Sequence, residues 1–441
     1  MNITVVGAAK SGISAALLAN SQKHNVFVTE SKSIENYKEN SLILENNNIE
    51  FEFGKNSERA LNNCDLIITS PGVPPSSEII KSAEKKGVPI ISEIDYASKF
   101  LKNPIIAITG TNGKTTTTAL TEYIFNKSGR KAIAAGNIGT PLSSLVNKID
   151  KDTVIVAELS SYQLDRISSF KPDVATILNI TPDHLGYHGS FENYIFAKWK
   201  ISSYMNEKNL LILNIDDDTI SAGNYKSNAD IVKLSMSAVD RGICSINGKI
   251  IIKLHKEEEL MSLSELGLPG VHNAYNSMAA ALSARAFEIR NENIRDALMT
   301  FKGVEHRLEF VRNLNGVSFV NDSKATNINA CWFALSSYQK PIIWIAGGRG
   351  DANDYSSLDK LVENNVKAIV SIGEESEAIF NHFCTKKSVF KTASLDDAVT
   401  KAYMLADEDD VVLFSPACKS FDMFLNFEHR GEVFKEIVNN L

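Results

Sequence analysis

Lys114 and Thr115 lie near the end of a segment, Ile105–Thr116 (IIAITGTNGKTT), whose residue types suit the grip of a polyphosphate. Gly110 and Gly113 let backbone N–H groups approach phosphate oxygens closely, and the helix expected to start here adds partial positive charge. Lys114 can reach the terminal phosphates of a nucleotide, and the Thr115 hydroxyl can hold a magnesium ion. Thr111, Asn112 and Thr116 complete the loop. The strict phosphate-loop spacing is not met, because Ile108 stands where the first glycine would fall. The bland alternative is a glycine turn ahead of a helix. A β-rich run before the loop and a helical pattern after it favour the nucleotide reading.

Two more groups arrive at strand ends. Glu158 closes the run TVIVAE, and Asp183 and His184 follow DVATILNITP. Open α/β sheets bind ligands outside the carboxyl ends of their strands, where the phosphate loop also lies. A carboxylate and an imidazole there can bind a cation beside the phosphates, although magnesium prefers oxygen ligands. Taken alone, Glu158 reads as a strand end and His184 as a turn residue. In SFENYIFAKWKIS, Phe191, Tyr194, Ile195 and Lys198 recur at helical spacing, which puts Lys198 in an apolar stripe and Lys200 on the other side. The ordinary reading of Lys198 is a snorkelling side chain. The functional reading is a buried lysine that is chemically altered or paired with an anion.

These residues need strands and helices to carry them. Three β-rich runs lead into glycine turns and helical patterns, starting at Ile3, Pro104 and Pro341. Further strand candidates (DLIITSPG, TVIVAELSS, DVATILNIT, AIVSIG, VVLFSPA) alternate with helical segments. This βα alternation predicts an α/β protein with mostly parallel sheets. Three domains are expected: a Rossmann-like unit over 1–97, a phosphate-loop ATPase-like unit over 98–303, and a second Rossmann-like unit over 304–441. Joints near residues 100 and 303 are expected to act as hinges. An insertion or small side sheet is expected over 224–263, where the pattern turns irregular.

Composition narrows the function classes. A chain of 441 residues predicts about three domains at ~150 residues each. Lys+Arg 46 against Asp+Glu 53 gives a net charge of -7, which argues against non-specific nucleic-acid binding. Five scattered cysteines without a CxxC indicate neither a disulfide framework nor a zinc ribbon, and suggest a reducing cytosol. No apolar stretch approaches the ~18–20 residues that span a bilayer. The N-terminus reads as a strand and loop rather than a signal peptide. A cytoplasmic protein without membrane insertion is expected.

The chain resembles the ATP-dependent Mur ligases of peptidoglycan synthesis, in their D-glutamate-adding branch. The matching segments are TGTNGKTT, GNIGTP (Gly136–Pro141), ELSSYQL (Glu158–Leu164), NITPDHL, AKWKI, PGVHNAYN (Pro269–Asn276), EHRLE (Glu305–Glu309), NDSKATN (Asn321–Asn327) and SPACKSFDMFLNFEHRGEVF (Ser415–Phe434). The resemblance implies that Gly110, Thr111, Asn112, Gly113, Lys114, Thr115, Thr116, Asn273, Asn276, Arg307 and Asp322 meet ATP. It implies two magnesium ions, held by Thr115, Glu158, His184 and an N-carbamylated Lys198. Ser11, Glu30, Ser31 and Ser70 would face the uridine nucleotide of UDP-N-acetylmuramoyl-L-alanine, and Asn137, Ser160 and Gln163 its muramoyl end. His306, Lys324, Thr326, Arg349, Ser420 and Phe427 would line the D-glutamate side. Lys114, Lys198, His184 and Lys324 would be catalytic, with His184 as general base a lower-ranked role.

The first domain departs from a dinucleotide fingerprint, because Ala9 replaces the middle glycine. Asp351 stands where family members carry a lysine, so Arg349 is expected to supply that charge. The DNPR-like motif of members that add lysine or diaminopimelate is absent. The D configuration of glutamate comes from the resemblance alone. The implied reaction joins a carboxylate to an amine through an acyl phosphate, in a monomer active in cell-wall synthesis and hence in cell shape and division. Alternatives are another Mur-type ligase, a folylpolyglutamate synthase, which the extra N-terminal unit disfavours, and a nucleotide switch, which Arg307, Asp322 and Lys324 disfavour.

Overall fold

In a computed structural model of the chain, residues 1–223, 226–338, 340–350 and 353–441 are described. Parallel strands covered on both faces read as unbroken apolar runs, since neither face meets water. Ile105–Thr109, Val154–Glu158 and Ile342–Gly347 are buried along their whole lengths. Three sheets form among the described residues. The first orders its strands Glu50–Phe53, Asn25–Glu30, Asn2–Val6, Leu66–Thr69, Ile90–Ser92, all parallel.

The second sheet has nine strands, in the order Glu257–Ser262, Lys249–Lys253, Gly242–Ile246, Asp230–Ser235, Leu210–Asn214, Val174–Ile177, Ile105–Thr109, Val154–Glu158, Ala132–Gly136. Its first three strands pair antiparallel and the rest parallel. The irregular stretch expected as an insertion or side sheet is therefore an extension of the main sheet. Asp230–Ser235 pairs in register with Leu210–Asn214, and two hairpin-connected strands follow. The third sheet runs Glu309–Leu314, Val317–Asn321, Val411–Phe414, Ile342–Gly347, Val366–Ile372, Ser388–Lys391, parallel except at its first pair.

Residues 1–301 form one compact unit and residues 302–441 a second. The joint expected near residue 100 is bridged by buried polar contacts. Asp95, on the short helix Glu93–Ser98, is fully buried. Its carboxylate accepts the backbone N–H groups of Ser168, Ser169 and Phe170 at 3.0, 2.7 and 2.7 Å. The Ser168 hydroxyl adds a fourth bond at 2.7 Å. Glu93 accepts the N–H of Ser143 at 2.6 Å, and burial pushes its carboxyl above the usual range. Removing the Asp95 carboxylate leaves three N–H groups without their acceptor, that of Phe170 buried. Asp95→Ala is expected to cost ~2–4 kcal/mol, read as a lower urea midpoint. An unchanged midpoint would remove Asp95 from this bridging role.

Candidate active site

The strand Ile105–Thr109 ends in the phosphate loop, and the helix Lys114–Lys127 begins directly after it. Gly113 caps that helix at φ 81°, and a Cβ there would sit 2.2 Å from Asn276 Oδ1, so a larger residue would be strained and would have to displace Asn276. Asn276, predicted for ATP, accepts a bond from the Thr117 hydroxyl at 3.3 Å and is tied to Asn273 at 3.2 Å. The loop is braced from the neighbouring strand end. The Asn112 N–H donates to Asn179 Oδ1 at 2.8 Å, the Asn179 amide returns a bond to Asn112 O at 3.1 Å, and the Thr111 N–H donates to Asn179 O at 2.9 Å. Thr111 Oγ1 also accepts the Thr181 N–H at 3.0 Å and lies 3.0 Å from the Tyr194 hydroxyl.

Two lysines converge on this loop. Lys114 Nζ donates to Gly110 O and Thr111 O, both at 2.8 Å. Lys198 Nζ donates to the same Gly110 O at 2.7 Å and lies 4.6 Å from the Tyr194 ring centroid. Lys198 is only 1% exposed, so it does not snorkel. Burial first, and the facing Lys114 ammonium second, hold its pKa well below the ordinary lysine value, against the pull of Asp183 and Glu158.

Glu158 is buried at the end of its strand. The Asn137 side chain donates to its Oε1 at 2.9 Å, while Oε2 is buried with no hydrogen-bond partner. A buried carboxylate oxygen left unmatched is costly, and a cation would satisfy it. Among the described residues no group of three or more His, Cys, Asp or Glu could hold a metal by itself. His184 adopts φ 54°, with Nε2 3.4 Å from Asp183 Oδ2, and the Tyr162 ring lies 4.8 Å from its own. Burial lowers its pKa, which favours the neutral imidazole a metal needs. Thr115 and Thr116 are buried at the helix start. The donor set therefore fits magnesium if Lys198 carries an anionic group, since Glu158, His184 and Thr115 supply only one negative charge.

At the first sheet, Glu30 closes its strand and accepts from the N–H groups of Ala8 and Lys32, each at 3.0 Å. The Ser31 hydroxyl donates to Glu30 at 3.3 Å and the Ser70 hydroxyl to Gly7 O at 3.3 Å. The Ser11 hydroxyl is buried without a partner. Ser160 and Gln163 form a capping box on the helix Ser161–Asp165, so their polar atoms already hold each other.

In the second unit, His306, Lys324 and Phe427 come together. The His306 and Phe427 rings are 6.3 Å apart, Lys324 Nζ lies 5.6 Å from the Phe427 centroid, and the Lys324 N–H donates to His306 O at 3.0 Å. Asp322 is buried, accepts the Ser415 hydroxyl at 2.8 Å and the Leu308 N–H at 3.2 Å, and burial pushes its carboxyl up to about 7. Arg307 Nε is buried without a partner. Ser420 is buried, and the Thr326 N–H bonds Lys324 O at 2.9 Å. Arg349 is held by Glu374 through two bonds of 3.0 and 2.9 Å, so its charge is already answered. Asp351 lies outside the described residues.

Sequence reasoning missed Asn179, Thr181 and Tyr194 as supports of the loop, because no local spacing links them to a loop 67 to 83 residues earlier. It also missed Arg430, 1% exposed, which donates from Nε to Ser323 Oγ at 3.0 Å and from its terminal nitrogens to Cys418 O at 3.1 Å and Ser323 O at 2.8 Å. Its signal was available. Phe427, Arg430, Phe434 and Val438 follow helical spacing, the pattern that singled out Lys198.

Comparison with known proteins adds the chemistry of relatives. Residues 2–79 match the MurD N-terminal domain, 108–284 the Mur ligase middle domain, and 306–418 the domain described as Mur ligase, glutamate ligase domain. A UDP-N-acetylmuramoylalanine–D-glutamate ligase of Salinibacter ruber is 43% identical over 99% of this chain and 97% of its own. One of Christiangramia forsetii is 40% identical over 100% and 99%. Among solved structures, MurF from Acinetobacter baumannii superposes with TM-score 0.60 at 18% identity, covering 99% of this chain and 93% of that one. The UDP-N-acetylmuramate-alanine ligase of Thermotoga maritima gives 0.56 at 20%, covering 100% and 99%. A Thermotoga maritima MurF ligase in complex with ADP gives 0.56 at 18%, covering 87% and 91%. At these identities the structures establish a shared fold.

Proposed function

The chain belongs to the Mur ligase family, and we infer that it is an ATP-dependent amide ligase that adds D-glutamate to UDP-N-acetylmuramoyl-L-alanine in peptidoglycan precursor synthesis. The alanyl carboxylate attacks the γ-phosphorus of ATP, ADP leaves, and an acyl phosphate forms. The D-glutamate amine then attacks the acyl carbon, the carbon–oxygen bond to phosphate breaks, and the amine gives up its proton. The electrostatic obstacle is that a carboxylate must approach a polyanion. The observation that carries the assignment is the convergence of two lysine side chains, Lys114 and Lys198, on one loop carbonyl, Gly110 O. Lys114 is placed to neutralise the phosphates, and the loop N–H groups and helix start hold them without reorganisation.

Glu158, His184, Thr115 and a carbamate on Lys198 would hold magnesium, which would supply Lewis-acid polarisation of the phosphoryl group. The unmatched Glu158 Oε2 and the anionic deficit of the donor set support that assignment. A depressed pKa favours the neutral amine of Lys198, the form that attacks CO₂; the nitrogen then loses a proton, and the remaining N–H can keep the bond to Gly110 O.

We assign residues 1–97 to the UDP end of the substrate, 98–303 to ATP and 304–441 to the amino acid. Glu30, Ser31, Ser70 and Ser11 are assigned to the uridine nucleotide and Asn137, Ser160 and Gln163 to the muramoyl end. Gly110–Thr116, Asn273, Asn276, Arg307 and Asp322 are assigned to ATP. His306, Lys324, Thr326, Ser420 and Phe427 are assigned to glutamate. Arg349 would have to exchange Glu374 for the substrate to take part. We place the enzyme in the cytoplasm as a monomer; no helix among the described residues is long and apolar enough to cross a membrane.

Phosphate release tests the assignment. It is expected to require UDP-N-acetylmuramoyl-L-alanine and D-glutamate together, with L-glutamate, L-alanine and L-lysine at least ~10²-fold poorer, the scale set by a mismatched polar site. Release with L-lysine, or without any amino acid, would point to another member of the family or to a nucleotide switch.

A further inference from the structure

Asn321 ends the strand Val317–Asn321, fully buried, and pairs in register with Glu309 on the neighbouring strand. Its side-chain nitrogen lies 3.0 Å from Glu309 Oε2 and 3.3 Å from Gly431 O. Its side-chain oxygen accepts the Ser323 N–H at 3.1 Å. Glu309 is ion-paired with Lys435 at 3.3 Å, so its carboxylate only accepts, as does the Gly431 carbonyl. The Ser323 N–H only donates. These three partners fix which end of the Asn321 amide carries the hydrogens.

The same amide nitrogen lies 3.0 Å from Nδ1 of His306, a ring that is itself buried. A donor facing Nδ1 requires a lone pair there, because a proton on Nδ1 would point at the amide hydrogens. Glu309 Oε2, 3.8 Å from Nδ1, is beyond hydrogen-bond reach and draws no proton to it. The helix Phe427–Asn440 closes this side of the ring: a Cβ on Gly431 would meet Nδ1 at 2.2 Å. Burial holds the His306 pKa below the ordinary histidine value, against Glu305, Glu309 and Glu432 and with the help of Lys435. A neutral imidazole carries one proton, so that proton sits on Nε2, the nitrogen left to meet a ligand. The backbone is fixed as well. His306 adopts φ 63°, and its N–H donates to Glu309 Oε2 at 2.9 Å.

We propose that Asn321 is a positioning residue that fixes His306 as the neutral Nε2–H tautomer, so that the ring donates to a ligand oxygen and takes no proton from the attacking amine. The identity of that oxygen, a carboxylate oxygen of D-glutamate, rests on the assignment of His306 to the glutamate side. Nitrogen NMR at neutral pH, on enzyme carrying heavy nitrogen in its histidines, tests the tautomer. The His306 signals are identified by their loss in His306→Gln. Nδ1 should be unprotonated and Nε2 protonated, and Asn321→Asp, which sets an acceptor against Nδ1, should protonate Nδ1. A protonated Nδ1 or averaged ring signals in the wild type would overturn the proposal, as would an Nδ1 left bare in Asn321→Asp. Kinetics test the donor. His306→Leu should raise the KM for D-glutamate ~10–100-fold, the value of a charge-assisted hydrogen bond, with kcat lowered less than ~10-fold. His306→Gln, whose amide supplies an N–H, should recover most of that KM. A kcat lower by ~10²-fold or more at unchanged KM is the mark of proton transfer and also overturns the proposal. A KM that rises for ATP in place of D-glutamate, with the tautomer as expected, would instead overturn the placement of His306 at the amino acid.

Discussion

Lys198→Ala is expected to lose at least ~10²-fold in kcat and to regain part of it when acetate or formate is added, because the lost group is an anion of carboxylate shape. Lys198 sits 1% exposed beside a second ammonium, that of Lys114, in an arrangement that resists a positive charge. A carbamate removes both difficulties and offers the oxygen ligands that magnesium prefers. The pH dependence has a definite sign. Acid protonates and breaks a carbamate, so activity measured after stripping CO₂ at low pH should be reduced and should return with bicarbonate at neutral pH. A structural lysine predicts a loss of stability without rescue. Wild-type-like turnover in a folded Lys198→Ala protein, or density for a bare ammonium beside bound magnesium in the active complex, would exclude the carbamate.

The second large effect is expected at Lys114. Its ammonium bonds Gly110 O and Thr111 O at the mouth of the loop, which pre-positions it for the terminal phosphates. Lys114→Ala should lower kcat by at least ~10²-fold, as for other preorganised charges. A further consequence separates this reading from simple damage. The Lys114 charge is the second cause, after burial, of the depressed Lys198 pKa. Without it the Lys198 amine holds its proton to higher pH, so the bicarbonate dependence of the residual activity should move to higher pH. Measuring residual activity against pH at fixed bicarbonate tests this; a profile that stays in place would break the proposed link between the two lysines.

Much of the molecule was legible because its signals were local. Buried parallel strands are apolar along most of their length, and IIAIT, VIVAE up to its closing Glu158, and IIWIAG state that directly. The phosphate loop lies within a dozen residues, so its glycines, lysine and helix start could be read together. Lys198 was legible because a charge in an apolar helical stripe is a local contradiction. The bracing of the loop by Asn179 and Tyr194 was not, since it depends on which strands become neighbours. The strands after residue 229 were misplaced for a related reason. Their alternation identifies strands but does not say which edge they join, and register with Leu210–Asn214 decided it. At Arg349 the sequence offered a spare cation; the side chain of Glu374, 25 positions later, answers it.

The central claim is that the alanyl carboxylate is activated by phosphorylation and then taken by D-glutamate. Substrate whose alanyl carboxylate is labelled with heavy oxygen tests it most directly. Incubated with the enzyme, ATP and D-glutamate, it should yield a product containing D-glutamate in amide linkage and inorganic phosphate carrying one labelled oxygen from the carboxylate. Unlabelled phosphate, or ATP hydrolysis with no D-glutamate incorporated, would contradict the account.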